Sequence, residues 1–126
     1  MRGFLNIVVA TLLAGCSSQK DVSPYTELPN KYSKGIETDL YFGGSYRDPS
    51  VWPRFLKESV TPRFAGYTVL TGQGNWKDRV GLPTMILRII HSEEELSKIE
   101  EIRKIFLEQF HHQSVMLVST PVYYDF

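Results

Sequence analysis

The chain contains a single cysteine, Cys16, among its 126 residues, so it cannot form an internal disulfide. Positive and negative side chains are equal in number, 14 of each, which removes the electrostatic argument for nucleic-acid binding. The longest apolar run, residues 4–13, is about half as long as the roughly 20 residues that a membrane-spanning helix needs. Internal repeats and low-complexity tracts are missing too. These absences favour a small protein with one folded domain.

The N-terminus has the pattern of an export signal. Arg2 precedes the apolar run, which has the length of a signal-peptide core. The run ends in Leu-Ala-Gly-Cys at residues 13–16, which resembles a bacterial lipobox and implies cleavage before Cys16 and acylation of that residue. The alternative is an ordinary secretory signal followed by a buried thiol, but a free thiol is a liability in an oxidising compartment. Ser17, the residue after the cysteine, favours anchoring of the protein in the outer membrane, with the domain facing the periplasm.

The sequence therefore predicts three segments. Residues 1–15 form a lipoprotein signal peptide. Residues 16–36 comprise the lipidated cysteine and a flexible tether, because they are polar, contain two prolines and show no periodicity. Residues 37–126 form a single domain, which the lipid would hold at the membrane surface.

Four segments have the composition of β-strands. The third, Thr84–His91, is apolar at both alternating positions apart from Arg88, so it offers apolar side chains to both faces of a sheet. Pro121 follows the fourth segment and should bar regular ladder pairing there, so that the tail, residues 122–126, runs along an edge. The predicted strands are Thr38–Phe42, Tyr67–Thr71, Thr84–His91 and Ser114–Ser119.

Two segments have helical periodicity. The first is capped by Asp48 or Ser50 and ends at Pro62, because the residue before a proline is disfavoured in the α region. The second begins at Ser92, where a serine cap precedes three glutamates at the positive end of the helix dipole. The apolar stripes are Trp52, Phe55, Leu56 and Val60 on the first helix, and Leu96, Ile99, Ile102, Phe106 and Phe110 on the second.

This element order, βαββαβ, predicts an α+β ferredoxin-like fold with a four-stranded antiparallel sheet and two helices on one face. The other face has no helix to cover it, although the third strand offers apolar side chains to both faces, with Met85, Leu87 and Ile89 on one and Ile86 and Ile90 on the other. An uncovered apolar face usually indicates a partner or ligand. Face-to-face homodimerisation is the preferred interpretation. A bound apolar ligand and coverage by the N-terminal segment or the tail are the alternatives.

Four stretches resemble a family of bacterial lipoproteins known as the domain-of-unknown-function 3574 family. They are LYFG at residues 40–43, VTPRF at 60–64, TVLTGQGNW at 68–76 and FHHQSVMLV at 110–118. The combination of VTPRF with TVLTGQGNW is the most specific of these signals. The resemblance implies the fold and a lipobox, but no reaction, since none is assigned to the family.

The stretch TGQGNW, Thr71–Trp76, is a candidate ligand loop. It does not fit a phosphate-binding loop, because no helix follows its glycines. The expected structure is a glycine-dependent bulge or bend in the second strand, before a hairpin through residues 77–83. The alternative is a pocket with an aromatic wall and amide hydrogen bonds. The candidate ligand-binding residues are Tyr41, Arg63, Gln73, Asn75 and Trp76. Arg63 could equally pair with Glu58 or cap the first helix.

Catalytic and metal-binding patterns are weak. His91 and the pair His111–His112 lie at opposite ends of a helix about 27 Å long, so one ion cannot join them within a monomer. Glu37, Asp39 and His91 are the titratable candidates near strand ends. No catalytic residue, metal or other cofactor is predicted.

The function predicted from the sequence is that of a lipid-anchored envelope lipoprotein with a binding domain, rather than an enzyme. The alternative is a small dimeric α+β-barrel-type enzyme that acts on an organic ligand, an analogy from fold alone. The predicted partners are the membrane, through the lipid, and a second copy of the chain, without nucleic acid.

Overall fold

The computed structural model describes residues 31–43, 50–111 and 114–126. Its elements are the strands β1 (Ser33–Gly43), β2 (Thr68–Trp76), β3 (Arg79–His91) and β4 (Met116–Tyr124), and the helices α1 (Val51–Phe55) and α2 (Leu96–Phe110). A π-helical turn, Leu56–Val60, continues α1, and a 3₁₀ turn, Glu93–Glu95, precedes α2. The predicted cap Asp48 lies outside the described residues.

The four strands form one antiparallel sheet in the order β2-β3-β1-β4. This is the ferredoxin-like arrangement, and it confirms the predicted fold class. Both helices pack on one face of the sheet, because their buried side chains join those of β1 and β3 in a single core. That core consists of Leu40, Phe42, Phe55, Val60, Phe64, Met85, Leu87, Ile89, Ile99, Ile102, Phe106 and Val115.

The central strand β1 is longer than predicted. It begins at Ser33, so the last four residues of the predicted tether are strand. The reason is that β1 has neighbours on both sides: Ile36 pairs with His91 of β3 and with Pro121 of β4. Local composition in residues 33–36 gives little sign of this, because the pairing partners are distant in sequence.

Strand β4 also departs from the prediction, since it runs through Pro121 to Tyr124. Because β4 lies at the edge of the sheet, a proline there has an outward side on which no ladder hydrogen bond is needed. The prediction that Pro121 bars pairing was wrong for this reason, but residues 122–124 of the tail do lie along an edge as predicted.

The second helix confirms most of the predicted stripe, with Ile99, Ile102 and Phe106 all fully buried. Leu96 is the exception, at 44% exposed. At 3.6 residues per turn, Leu96 lies about 90° from the centre of the stripe that the other three define, so it faces sideways. The predicted start is confirmed: Ser92 and Glu95 form a reciprocal capping box.

Candidate functional site

The sheet face opposite the helices carries a mixed surface, which we call the helix-free face. Strand register places Leu70, Ile86, Tyr41 and Met116 in one row across the four strands. Neighbouring rows add further apolar side chains. Four large apolar side chains of the paired rows on this face are more than one-third exposed: Leu70 at 39%, Ile90 at 37%, Met116 at 57% and Val118 at 45%. The apolar side chains of β3 therefore alternate between the two faces of the sheet as predicted, with one set buried and the other facing outward.

The centre of the helix-free face is charged. Arg88 binds Asp39 through two parallel hydrogen bonds of 2.8 Å, and its Nε lies 3.4 Å from a Glu37 oxygen. The hydrogen bond and charge of Asp39 raise the pKa of Arg88 above its ordinary value. Two carboxylates against one guanidinium leave a formal surplus of one negative charge. Glu37 and Asp39, predicted as candidate titratable groups, are therefore members of an ion cluster.

The residues that we predicted to bind a ligand occupy different places. Tyr41 lies in the apolar row of the helix-free face, opposite Ile86. Leu70 of β2 lies in the same row as Tyr41, and Trp76 lies six residues further along β2. At the rise per residue of a β-strand, six residues correspond to about 20 Å. The Trp76 side chain is 60% exposed at the end of the hairpin. The structure therefore does not bring Tyr41 and Trp76 into one pocket.

Arg63 lies on the other side of the sheet, at the end of the first helical segment. Its Nη1 donates a hydrogen bond to the Ser59 carbonyl at 2.8 Å, and its Nε donates to Glu101 at 2.9 Å. The expectation that Arg63 caps this helix is met. Its acidic partner is Glu101 of α2 and not Glu58, which pairs with Arg54 instead.

The TGQGNW stretch continues β2 instead of leaving the sheet, with a bulge between Gly74 and Trp76. A two-residue turn at Lys77 and Asp78 then leads directly into β3, so the predicted longer hairpin loop is wrong. Strand pairing resumes at Arg79 because it lies opposite Trp76.

The amides of this stretch differ in their surroundings. Asn75 Oδ1 accepts a hydrogen bond from the Gly81 N–H at 3.0 Å, and this bond links the two strands of the hairpin. Gln73 is exposed. Gly74 has a close-approach role, since a Cβ there would lie 2.9 Å from Thr84 Oγ1, whereas a Cβ at Gly72 would meet nothing within 4 Å.

A shallow groove of about 260 Å³ lies between α1 and the β2–β3 hairpin. It is mostly apolar, and part of the TVLTGQGNW stretch forms one wall. The lining residues are Trp52, Pro53, Leu56, Val69, Thr71, Gly72, Pro83, Thr84 and Met85. None of the five predicted ligand-binding residues belongs to this lining.

The sequence did not predict a partly buried polar cluster that the structure contains. The Thr38 hydroxyl lies 2.7 Å from His91 Nε2 and 2.8 Å from Ser119 Oγ, and His91 Nδ1 lies 2.7 Å from the Ser92 carbonyl. Thr38 is fully buried and His91 is 2% exposed, whereas Ser119 is exposed. His91 was predicted as a titratable candidate, but Thr38 and Ser119 are separated by 81 positions and carry no local signature.

Within residues 31–43, 50–111 and 114–126, no three histidine, cysteine, aspartate or glutamate side chains are grouped in a way that could hold a metal ion. Among the same residues, none of the helices has the length and apolar character needed to cross a membrane.

The fold and the helix-free face define a ferredoxin-like α+β domain. The chain belongs to the family described as "Protein of unknown function (DUF3574)", whose model matches residues 37–126. This confirms the family resemblance seen in the sequence. A comparison with curated proteins found no match.

Solved structures with PII-like folds are similar to this chain at low identity. One, described as PII-like and from Thermus thermophilus, has a TM-score of 0.49 and 18% identity, over 75% of this chain and 91% of the other. Another is CPII of Thiomonas intermedia, a nitrogen regulatory PII-like protein bound to ADP, AMP and bicarbonate. It has a TM-score of 0.44 and 17% identity, over 75% of this chain and 97% of that protein.

Proposed function

We propose that this protein is a lipid-anchored envelope lipoprotein whose domain binds a second copy of itself through the helix-free face. One observation carries the proposal. Leu70, Ile90, Met116 and Val118 are each more than one-third exposed on the single sheet face that neither described helix covers. Burying such side chains is favourable by about 25 cal/mol per Å² of apolar surface.

The size of the face supports a pair of sheets. Strands β1 and β3 pair over eight residues, which corresponds to about 26 Å, and four strands span about 19 Å. Each copy would therefore contribute a footprint of about 500 Å². Two copies would bury about 1,000 Å², which reaches the lower limit for a specific protein interface.

The charged centre is compatible with this partner. A two-fold interface places the same patch on both copies, so each patch must be self-complementary. Arg88 already has its carboxylate partner, Asp39, within its own chain, so it requires no opposite charge from the second copy. The surplus negative charge from Glu37 would be repeated across the interface. Salt should therefore strengthen the dimer by screening that repulsion.

The envelope location depends on the N-terminal sequence. Leu-Ala-Gly-Cys at residues 13–16 follows a basic residue and a short apolar run, and this supports acylation of Cys16. Acyl chains on that residue would hold the domain at the membrane, because each buried methylene contributes about 0.8 kcal/mol. Ser17 supports the outer membrane, with the domain facing the periplasm.

The interface is tested by native mass spectrometry and light scattering of the full-length protein in detergent. We expect a dimer at micromolar concentration. Met116→Asp and Val118→Asp should each weaken it at least tenfold, since each buries a charge in the apolar surface. Val80→Asp is the matched control, because Val80 is 78% exposed near the hairpin turn and away from the central rows. A monomeric wild-type protein, or equal weakening by the control, contradicts the proposed interface.

The anchor is tested separately, by metabolic labelling with an alkyne fatty acid in bacterial cells. We expect label on the wild-type protein and none on Cys16→Ser, together with a shift of the variant from the membrane to the soluble fraction. Label that persists in Cys16→Ser, or a wild-type protein without label, contradicts acylation at this cysteine.

A further inference from the structure

The hydrogen-bonded cluster of buried Thr38, buried His91 and exposed Ser119 has a defined hydrogen-bond direction. A carbonyl oxygen only accepts, so His91 Nδ1 must carry the proton that binds the Ser92 oxygen at 2.7 Å. In the neutral ring, Nε2 is then the acceptor, and the Thr38 hydroxyl donates to it at 2.7 Å. Thr38 has given its only proton, so the Ser119 hydroxyl donates to Thr38 Oγ1 at 2.8 Å.

This chain of hydrogen bonds leads from the protein surface to a buried base. Thr38 and His91 are out of contact with solvent, but Ser119 is exposed on the edge strand β4. The hydroxyl that touches the imidazole is therefore inaccessible to a substrate. The hydroxyl that a substrate can reach is one hydrogen bond further along.

We propose that Ser119 is a nucleophilic hydroxyl that accepts acyl groups from small activated esters, with Thr38 and His91 as its proton relay. Ser119 Oγ forms a bond to the acyl carbon as its proton passes to Thr38 Oγ1. The Thr38 proton passes at the same time to His91 Nε2, leaving an imidazolium. The bond from the acyl carbon to the leaving oxygen then breaks, so that oxygen departs with the electron pair and Ser119 becomes an ester.

The surroundings of His91 suit a transient positive charge. The Ser92 carbonyl accepts the hydrogen bond from His91 Nδ1–H whether the imidazole is neutral or positively charged. Glu95 is the acidic group nearby, and the hydrogen bond from Lys98, followed by that from the Ser92 N–H, lowers the pKa of its carboxyl. The ring of Phe64 lies beside the imidazole, with centroids 6.3 Å apart, and Lys98 Nζ lies 5.6 Å from the Phe64 centroid. Lys98 is neutralised by Glu95 at 2.9 Å.

The position of Ser119 limits the substrate class. Among the described strands β4 is at an edge of the sheet, and the outward N–H groups of an edge strand can donate to a developing oxyanion. The relay removes a proton from Ser119 but delivers none directly to the leaving oxygen. The leaving group must therefore be stable as an anion, as an aryl oxide is.

Ser119 lies on the helix side of the sheet, so this proposal is independent of the proposed dimer.

The test uses the full-length protein in detergent with p-nitrophenyl acetate, and peptide mass spectrometry measures acetylation at each serine. Ser119 should acquire acetyl at least about 100-fold faster than Ser97, which is exposed on α2 and serves as the matched serine. Ser119→Ala should remove the fast acetylation, and Ser97→Ala should leave it unchanged. Equal rates at the two serines overturn the proposal.

The relay is tested by paired substitutions. Thr38→Val keeps the shape of the side chain but removes its hydroxyl, and we expect a loss of about 100-fold in the Ser119 rate. Thr38→Ser restores a hydroxyl and should recover most of that rate, which a purely structural role would not require. His91→Gln should match Thr38→Val. Circular dichroism checks that each variant is folded. A rate that is unchanged in Thr38→Val or in His91→Gln overturns the relay.

A spectroscopic measurement tests the relay without any substitution. Nitrogen-15 shifts of the His91 ring in the neutral form should show the Nδ1–H tautomer. The Nε2–H tautomer would reverse the hydrogen-bond direction at Thr38 and would overturn the proposal.

Discussion

Trp52 and Phe106 stack with their ring planes 9° apart and their centroids 5.7 Å apart. This contact joins α1 to α2 above the sheet. Phe42 of β1 completes the cluster, since its ring centroid lies 4.5 Å from that of Phe106. Aromatic side chains from three elements thus meet at one point. Phe106 is fully buried, and it is the residue that these contacts share.

Phe106→Ala should therefore reduce the free energy of unfolding by about 3–5 kcal/mol, because it removes a buried ring and leaves a cavity among the aromatic rings around it. Urea denaturation monitored by circular dichroism measures the change. Val80→Ala is the control, since Val80 is 78% exposed, and it should change the unfolding free energy by less than about 0.5 kcal/mol. A small effect of Phe106→Ala would contradict the proposed shared core.

Gly74→Ala should destabilise the hairpin by about 1 kcal/mol, because the added Cβ would lie 2.9 Å from Thr84 Oγ1. Gly72→Ala is the matched control in the same strand, where a Cβ meets nothing within 4 Å, and it should be neutral or slightly stabilising. A double-mutant cycle with Thr84→Ala should remove the penalty at Gly74. A penalty that remains in this background would exclude the close contact as its cause.

Asn75→Ala should lower the free energy of unfolding by about 1 kcal/mol, since the Gly81 N–H loses its acceptor. Asn75→Asp keeps an oxygen at that position and should retain most of the stability. Thermal unfolding of the two variants separates a structural acceptor from a group that only contacts a ligand. Equal stability of Asn75→Ala and the wild type would contradict the structural role.

Glu95 gives the domain a dependence on acid pH. The hydrogen bond from Lys98, followed by that from the Ser92 N–H, lowers the pKa of Glu95 below its ordinary value of 4.5. A carboxyl with a lowered pKa in the folded state stabilises the protein above its unfolded pKa. That stabilisation is lost as the pH falls through the pKa that the carboxyl has in the folded protein. The unfolding free energy of the wild type should therefore decrease below about pH 4.5.

Glu95→Gln should show a shallower decrease over the same acid range, because the substituted side chain has no proton to gain. Chemical denaturation at a series of pH values from neutral to acid measures both curves. Glu108→Gln is the control, since Glu108 is 67% exposed and lies 3.9 Å from its partner Lys104. Its curve should follow the wild type. Parallel curves for Glu95→Gln and the wild type would contradict the role of the capping carboxylate.

Signals contained in short stretches of sequence predicted the fold well. Ser92 and the three glutamates after it indicated the start of the second helical segment, and the spacing of Ile99, Ile102 and Phe106 indicated its buried face. These signals depend on residues within a few positions of one another, where local geometry decides the structure.

Features that depend on distant pairing were harder to predict. The start of β1 and the end of β4 are set by their mutual register, in which Ser33 pairs with Tyr124. The ion cluster around Arg88 joins residues 49 positions apart, and the link from Thr38 to Ser119 spans 81. No composition rule contains that information. The candidate binding set failed to converge for the same reason, since Tyr41 and Arg63 lie on opposite sides of the sheet.

Strand β1 is the first strand of the sheet in chain order, and it lies between β3 and β4. A pulling force applied to the N-terminus would reach the middle of the sheet first, and both neighbouring ladders would resist it together. The domain should therefore withstand tension from that end better than from its C-terminus, where β4 lies at the edge and can be peeled from one neighbour alone.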